Sequence, residues 1–216
     1  MPSPATDVSR AIAPLRGSPQ LGIGELAAHL ARGSMKGDLF VAAADDVRGA
    51  AVAQALAAMT SATVIFCPGS DALPGDEAPA SPANVGQRVA ALRQLRLAQQ
   101  KTEDRAAIVF ITTGEALARR YPPAAAFEAA PPCVAPGDRL DLARLFEELI
   151  ETGYIVDERV DEPGEVALRG HVLDVYPADA AQPVRIEVAD GRVVAVRRYD
   201  PATQRTTAEQ SQQQLG

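Results

Sequence analysis

Residues 164–206 read GEVALRGHVLDVYPADAAQPVRIEVADGRVVAVRRYDPATQRT, four short apolar runs separated by turn signals. The runs are 166–168, 172–176, 184–188 and 193–196, and between them stand Arg169-Gly170, Pro177-Ala178-Asp179 and Asp190-Gly191. Asp-Gly populates the positive-φ positions of a two-residue hairpin turn, so 186–188 is expected to pair antiparallel with 193–196. In Arg185-Ile186-Glu187-Val188 charged and apolar residues trade places, the pattern of a half-buried strand. One face then packs inward, and the other presents Arg185, Glu187 and Arg169 to solvent or to a partner.

The chain before this cluster has a different rhythm. Helical signals over 25–32, 47–59, 85–97 and 114–120 alternate with apolar runs at 39–43, 63–67 and 106–111. Such alternation predicts a parallel sheet with helices on its faces. Asp45-Asp46 is read as an N-cap, with negative charge at the positive end of the helix dipole, and Thr113 as another cap. Residues 121–136 hold five prolines and break the pattern. After them 140–151 is amphipathic, with Leu142, Leu145, Phe146, Leu149 and Ile150 on one stripe and Gly153 closing it. The expected division is an α/β domain over 1–120, an α+β domain over 121–208, and a tail, 209–216, whose composition predicts disorder. Residues 1–14 are expected to fray.

Composition narrows the function. The chain has 216 residues, 47% hydrophobic but only 4% aromatic, and a net charge of −7. Gripping nucleic acid calls for an excess of Lys and Arg, because phosphate neutralisation dominates that affinity. Autonomous DNA binding is therefore not expected, whereas a local basic patch facing an acidic protein remains compatible with the balance. Cys67 and Cys133 lie far apart without His or Cys neighbours, so neither metal ligation nor a disulfide framework is implied. With no transmembrane run and no signal peptide in view, the expected location is the cytoplasm.

Three stretches carry a family resemblance. GEVALRGHVLDVYP, PVRIEV and VRRYDPATQRT, in order and at matching separations, resemble the N-terminal UvrB-homology module of the bacterial transcription-repair coupling factor (Mfd), a module shared with the excision-repair protein UvrB. An acidic, proline-bearing loop before a helix that opens with Arg88-Val89 extends the resemblance over about 17–206. The resemblance implies a degenerate RecA-like, P-loop-type domain followed by a smaller α+β domain with an antiparallel sheet. It also implies a surface on the second domain that recruits UvrA in nucleotide excision repair. RNA polymerase would be met only through regions outside this chain.

Residue by residue, the family's contact arginines fall on Arg169, in the Arg169-Gly170 turn, and Arg185. Arg suits that role because its planar fork pairs bidentately with carboxylates and stays charged. One departure stands out. The family continues after Arg185 with an aromatic pair, and the second of these positions is Ala189 here. Losing such an anchor costs about 2–4 kcal/mol of binding. Against the partner reading stands a purely structural or autoinhibitory domain, in which Arg169 and Arg185 pair with Glu165, Glu187 or Asp174 inside the chain.

Catalysis finds little support. A phosphate cradle needs GxxxxGK[ST], and the nearest stretch is Gly17-Ser-Pro-Gln-Leu-Gly22-Ile23-Gly24. Ile23 stands in the Lys position and Gly24 in the hydroxyl position, so the loop lacks the groups that would meet phosphate and Mg²⁺. A UvrB-type ATP-dependent enzyme is the alternative this loop argues against. No catalytic residue, metal or cofactor is assigned. His29 and His171 are read as ordinary surface or packed histidines, and Asp174 as a buried carboxylate bonded to a turn.

Overall fold

The computed structural model describes residues 22–72, 75, 79–101 and 105–216. The first part runs α1 (Ile23–Ser34), β1 (Leu39–Ala43), α2 (Asp46–Ala57), β2 (Thr63–Phe66), α3 (Pro82–Gln100), β3 (Ile108–Thr113) and the short α4 (Gly114–Ala118). Its three strands are parallel in the order β1-β3-β2. All six residues of β3 are buried. A central strand covered on both faces requires such a continuous apolar and β-branched run. Ala27, Leu30, Val52 and Leu56 of α1 and α2 pack with Val109 and Ile111 on one side. Ala91 of α3 packs with Ile65, Ile108 and Phe110 on the other.

Helix starts follow local chemistry. Arg48 N–H donates to Asp45 Oδ1 at 2.7 Å, and Asn84 N–H donates to Ser81 Oγ at 3.2 Å, with Pro82 opening α3. Thr113 caps α4 through Ala116 N–H. Asp38 ties β1 to β3. It accepts from Ile108 N–H at 2.9 Å and takes Arg105 on both oxygens at 2.8 and 2.7 Å.

The second part follows a 3-10 turn, Ala124–Phe127. It comprises β4 (Cys133–Val134), α5 (Leu142–Glu151), β5 (Ile155–Val156), β6 (Glu165–Arg169), β7 (Val172–Val175), β8 (Val184–Ala189), β9 (Arg192–Tyr199), β10 (Thr206–Glu209) and β11 (Gln213–Gln214). Six strands form a sheet in the order β10-β9-β8-β7-β6-β5, antiparallel except where β5 runs parallel to β6. The hairpin expected at Asp190-Gly191 joins β8 to β9. Both residues have positive φ, 52° and 69°, the signature of a type I′ turn. Between Glu187 and Val188 the register slips, leaving Val194 as an extra residue on β9.

The inner face of this sheet, through Val166, Leu173, Val175, Val184, Ile186 and Val196, packs against Leu142, Leu145 and Leu149 of α5. Ile150, expected on that stripe, is 39% exposed, because one helical step carries it 100° round from Leu149. No helix among the described residues is long and apolar enough to cross a membrane.

The tail departs from expectation. Composition predicted disorder over 209–216, yet β11 pairs antiparallel with β4, Leu215 is buried, and the Gly216 carbonyl accepts from Tyr154 Oη at 2.9 Å and Ala178 N–H at 3.0 Å. Backbone pairing with a distant strand supplies the order that the glutamine side chains do not.

Candidate protein-interaction surface

Alternation along β6–β9 gives the six-stranded sheet a second, polar face. The register aligns Ala167, Asp174, Arg185 and Arg197 across four strands. Side chains at such positions share a face and interact directly. Asp174 is 2% exposed. A carboxylate buried to that degree is stable only when paired and hydrogen-bonded. Arg185 supplies the pairing: Nε donates to Asp174 Oδ1 at 2.7 Å and Nη2 to Oδ2 at 2.8 Å. Arg169 Nη1 reaches the same Oδ2 at 3.4 Å. The expectation that Asp174 bonds to a turn is thus corrected: it is buried, but its partners are two guanidiniums.

The arginines are not sealed by this contact. The Arg169 side chain keeps 54% of its exposure and that of Arg185 31%. Arg185 lies over the Tyr199 ring, 5.2 Å from its centroid. That ring is fixed in turn, since Tyr199 is buried and its hydroxyl donates to the Val160 carbonyl at 3.1 Å. The hydrogen bonds it donates to Asp174 hold the Arg185 guanidinium above its already high value, and burial pushes the Tyr199 phenol up. Both groups keep one charge state throughout the working range of pH. Next along the face, Arg197 pairs with Glu187 and, at 3.5 Å, with Glu209.

Gly170 follows Arg169 in the two-residue turn between β6 and β7. Its φ of +60° with His171 outside the positive region fits a type II′ turn, where glycine leads. His171 is exposed, and its carbonyl accepts from Val188 N–H at 2.9 Å. Ala189, the last residue of β8, is exposed opposite Arg192. The structure therefore brings Arg169, Gly170, Arg185 and Ala189 onto one sheet and its turns. Sequence reasoning named Asp174 among three possible intrachain partners of the arginines without choosing it, and missed Tyr199. The signal was present in the alternation: Leu173-Asp174-Val175 and Val184-Arg185-Ile186 both put a charge between two inward residues.

Gly22, Ile23 and Gly24 belong to another element. Gly22 is the N-cap of α1, and Ile23 and Gly24 open its first turn. The Gly22 N–H donates to Glu25 Oε2 at 3.3 Å. Gly17 lies outside the described residues. Cys67 is buried and Cys133 exposed, both as free thiols. Among the described residues no three His, Cys, Asp or Glu side chains gather as a metal site would require. A cleft of about 740 Å³ opens between α3 and α5, lined by Val85, Val89, Arg93, Leu149 and Tyr154 among others. Arg169, Gly170, Arg185 and Ala189 do not line it, so the candidate surface is a sheet face rather than a pocket.

Comparison with known proteins follows these lines. Residues 134–216 match the family model described as the UvrB interaction domain. The chain is 30% identical over 181 residues to the transcription-repair-coupling factor of Myxococcus xanthus, an alignment covering 81% of this chain and 15% of the relative. It is 29% identical over 173 residues to that of Haemophilus influenzae, covering 80% of this chain and 14% of the relative. It is 29% identical over 144 residues to that of Bacillus subtilis, covering 67% and 12%. The chain thus spans between 12% and 15% of the length of these curated relatives.

Proposed function

We propose that this chain, whose residues 134–216 belong to the UvrB interaction domain family and which over most of its length resembles the UvrB-homology module of the transcription-repair coupling factor, is a non-catalytic recognition module that recruits a UvrA-like protein in nucleotide excision repair. The observation that carries this reading is the outward pair Arg169 and Arg185, braced by one buried carboxylate and still open to solvent. At Asp174 two guanidiniums meet one carboxylate, while the adjoining Arg197 meets two, Glu187 and Glu209, on a chain whose net charge is −7. The arginine pair favours a carboxylate on a partner, and the acidic balance of the whole chain disfavours a nonspecific grip on phosphate.

The parallel sheet is read as a degenerate RecA-like domain over 1–120, with the partner-binding domain over 121–208 and a cytoplasmic location. Support for an idle nucleotide loop comes from Ile23 and Gly24 in the Lys and hydroxyl positions, and from Glu25. Its carboxylate occupies the Gly22 amide that a phosphate would use and adds negative charge at the helix start.

Capture by immobilised chain of purified UvrA-like protein tests the reading. Wild type is expected to retain the partner, and Arg169→Ala and Arg185→Ala are each expected to weaken retention by about tenfold or more. Absence of capture by the wild type would sink the proposal. A second reading, a purely structural domain, draws on the contacts of both arginines with Asp174. It is favoured if the alanine variants lower the melting temperature while leaving capture untouched.

A further inference from the structure

We infer that Asp174 is the positioning residue of this surface: its buried carboxylate sets the directions in which Arg169 and Arg185 offer their remaining donors to a carboxylate on the partner. The inference rests on the reading of this face as the partner surface. Both oxygens of Asp174 are engaged, Oδ1 by Arg185 and Oδ2 by Arg185 and Arg169. The grip on Arg185 is side-on, through Nε and Nη2. A guanidinium is planar, so holding one edge fixes the direction of Nη1 at the far corner. The Tyr199 ring lies beneath the guanidinium carbon, 5.2 Å from it to the centroid, and Tyr199 is 1% exposed.

Asp174 touches no partner, because it is covered. What it contributes is order. A free arginine loses rotamer freedom when it binds, at a cost of about 0.5–1.5 kcal/mol per immobilised side chain. Here the fold has already imposed much of that order. The neighbouring charges leave the pair available: Arg197 is taken by Glu187 and Glu209, and Arg169 and Arg185 share one carboxylate. Two cations and one anion leave room for one more carboxylate, which the partner supplies.

The test uses the full chain and two readouts. Capture of purified UvrA-like protein is measured for Asp174→Asn alone and in the Arg185→Ala background. The Nε–H resonance of Arg185 is followed by ¹⁵N NMR without partner. Asp174→Asn is expected to weaken capture by about tenfold, and to cost clearly less once Arg185 is alanine, when only Arg169 is left for it to position. The Nε–H signal, protected from exchange in wild type, is expected to be lost in Asp174→Asn. Equal losses in both backgrounds, or an unchanged Nε–H signal, overturn the inference. If the wild type captures nothing, the proposed function falls, and the Nε–H signal still decides the positioning role. Should Asp174→Asn not fold, Arg185→Lys keeps the charge without the fork. Capture weakened nearly as far as in Arg185→Ala upholds the inference, and full retention overturns it.

Discussion

Arg185 shows how one side chain can serve the fold and still keep exposure that the proposed partner contact needs. Its Nε edge satisfies a carboxylate that burial would otherwise penalise, and the side chain as a whole keeps 31% of its exposure. A structural and a binding role are thus not exclusive at this position. Ala189 is the opposite case: exposed, with only a methyl group where the family resemblance implies an aromatic anchor. Val194, set outside by the bulge and 55% exposed, lies diagonally across the strand pair and offers an apolar surface beside it. On the proposed reading Ala189→Phe tightens capture of the UvrA-like protein by about tenfold, roughly 1.4 kcal/mol. The melting temperature should stay unchanged, since the position packs against nothing in the core. Titration calorimetry on the two chains checks it, and equal affinities would remove Ala189 from the surface.

Among the strands, β1 depends on a clamp at its start. Asp38 is bonded first by the Arg105 side chain and then by the Ile108 amide, and these hold its carboxyl below the ordinary value of 3.8. A depressed folded-state value means that the contribution is fully present above the unfolded value. It is lost as pH falls from about 4 through the folded value. Asp38→Asn should therefore lower the melting temperature at neutral pH and flatten its decline on acidification below about pH 4. Parallel acid limbs for wild type and variant, in thermal unfolding followed by circular dichroism, would exclude the clamp. The hairpin strands rest on something different, the turn chemistry of Asp190-Gly191, whose backbone takes positive φ at both residues.

The two sheets meet where α3 passes the loop after β7. A Cβ added at Gly86 would come within 2.3 Å of the Ala178 Cβ and 2.8 Å of its backbone carbon. Gly86 sits in a helix interior, where alanine is favoured by about 1 kcal/mol. Close packing outweighs that preference here. Gly86→Val is expected to cost about 1–3 kcal/mol by overpacking. Because the clash lies between the two sheets, the loss should appear as a lower urea midpoint for both parts together. A midpoint equal to wild type would show that the helix and the loop separate freely. The tail closes the same junction, with Gly216 bonded to Tyr154 and Ala178. Burial raises the Tyr154 phenol to about 12, so this hydroxyl stays a donor at any physiological pH.

What lay in the sequence was everything governed by neighbours along the chain. Alternation located β6 to β9, Asp-Gly set their hairpin, and Asp45, Thr113 and Gly153 marked helix ends. Each signal acts within a few residues, through turn geometry, caps or the period of the side chains. Only the tertiary structure decided that Arg169 and Arg185 share Asp174, that Tyr199 lies beneath Arg185, and that the glutamine-rich tail pairs with β4. These contacts join segments whose approach depends on how the sheet closes over α5 and how α3 fits against Ala178, and no local pattern encodes a distance between elements that have yet to pack.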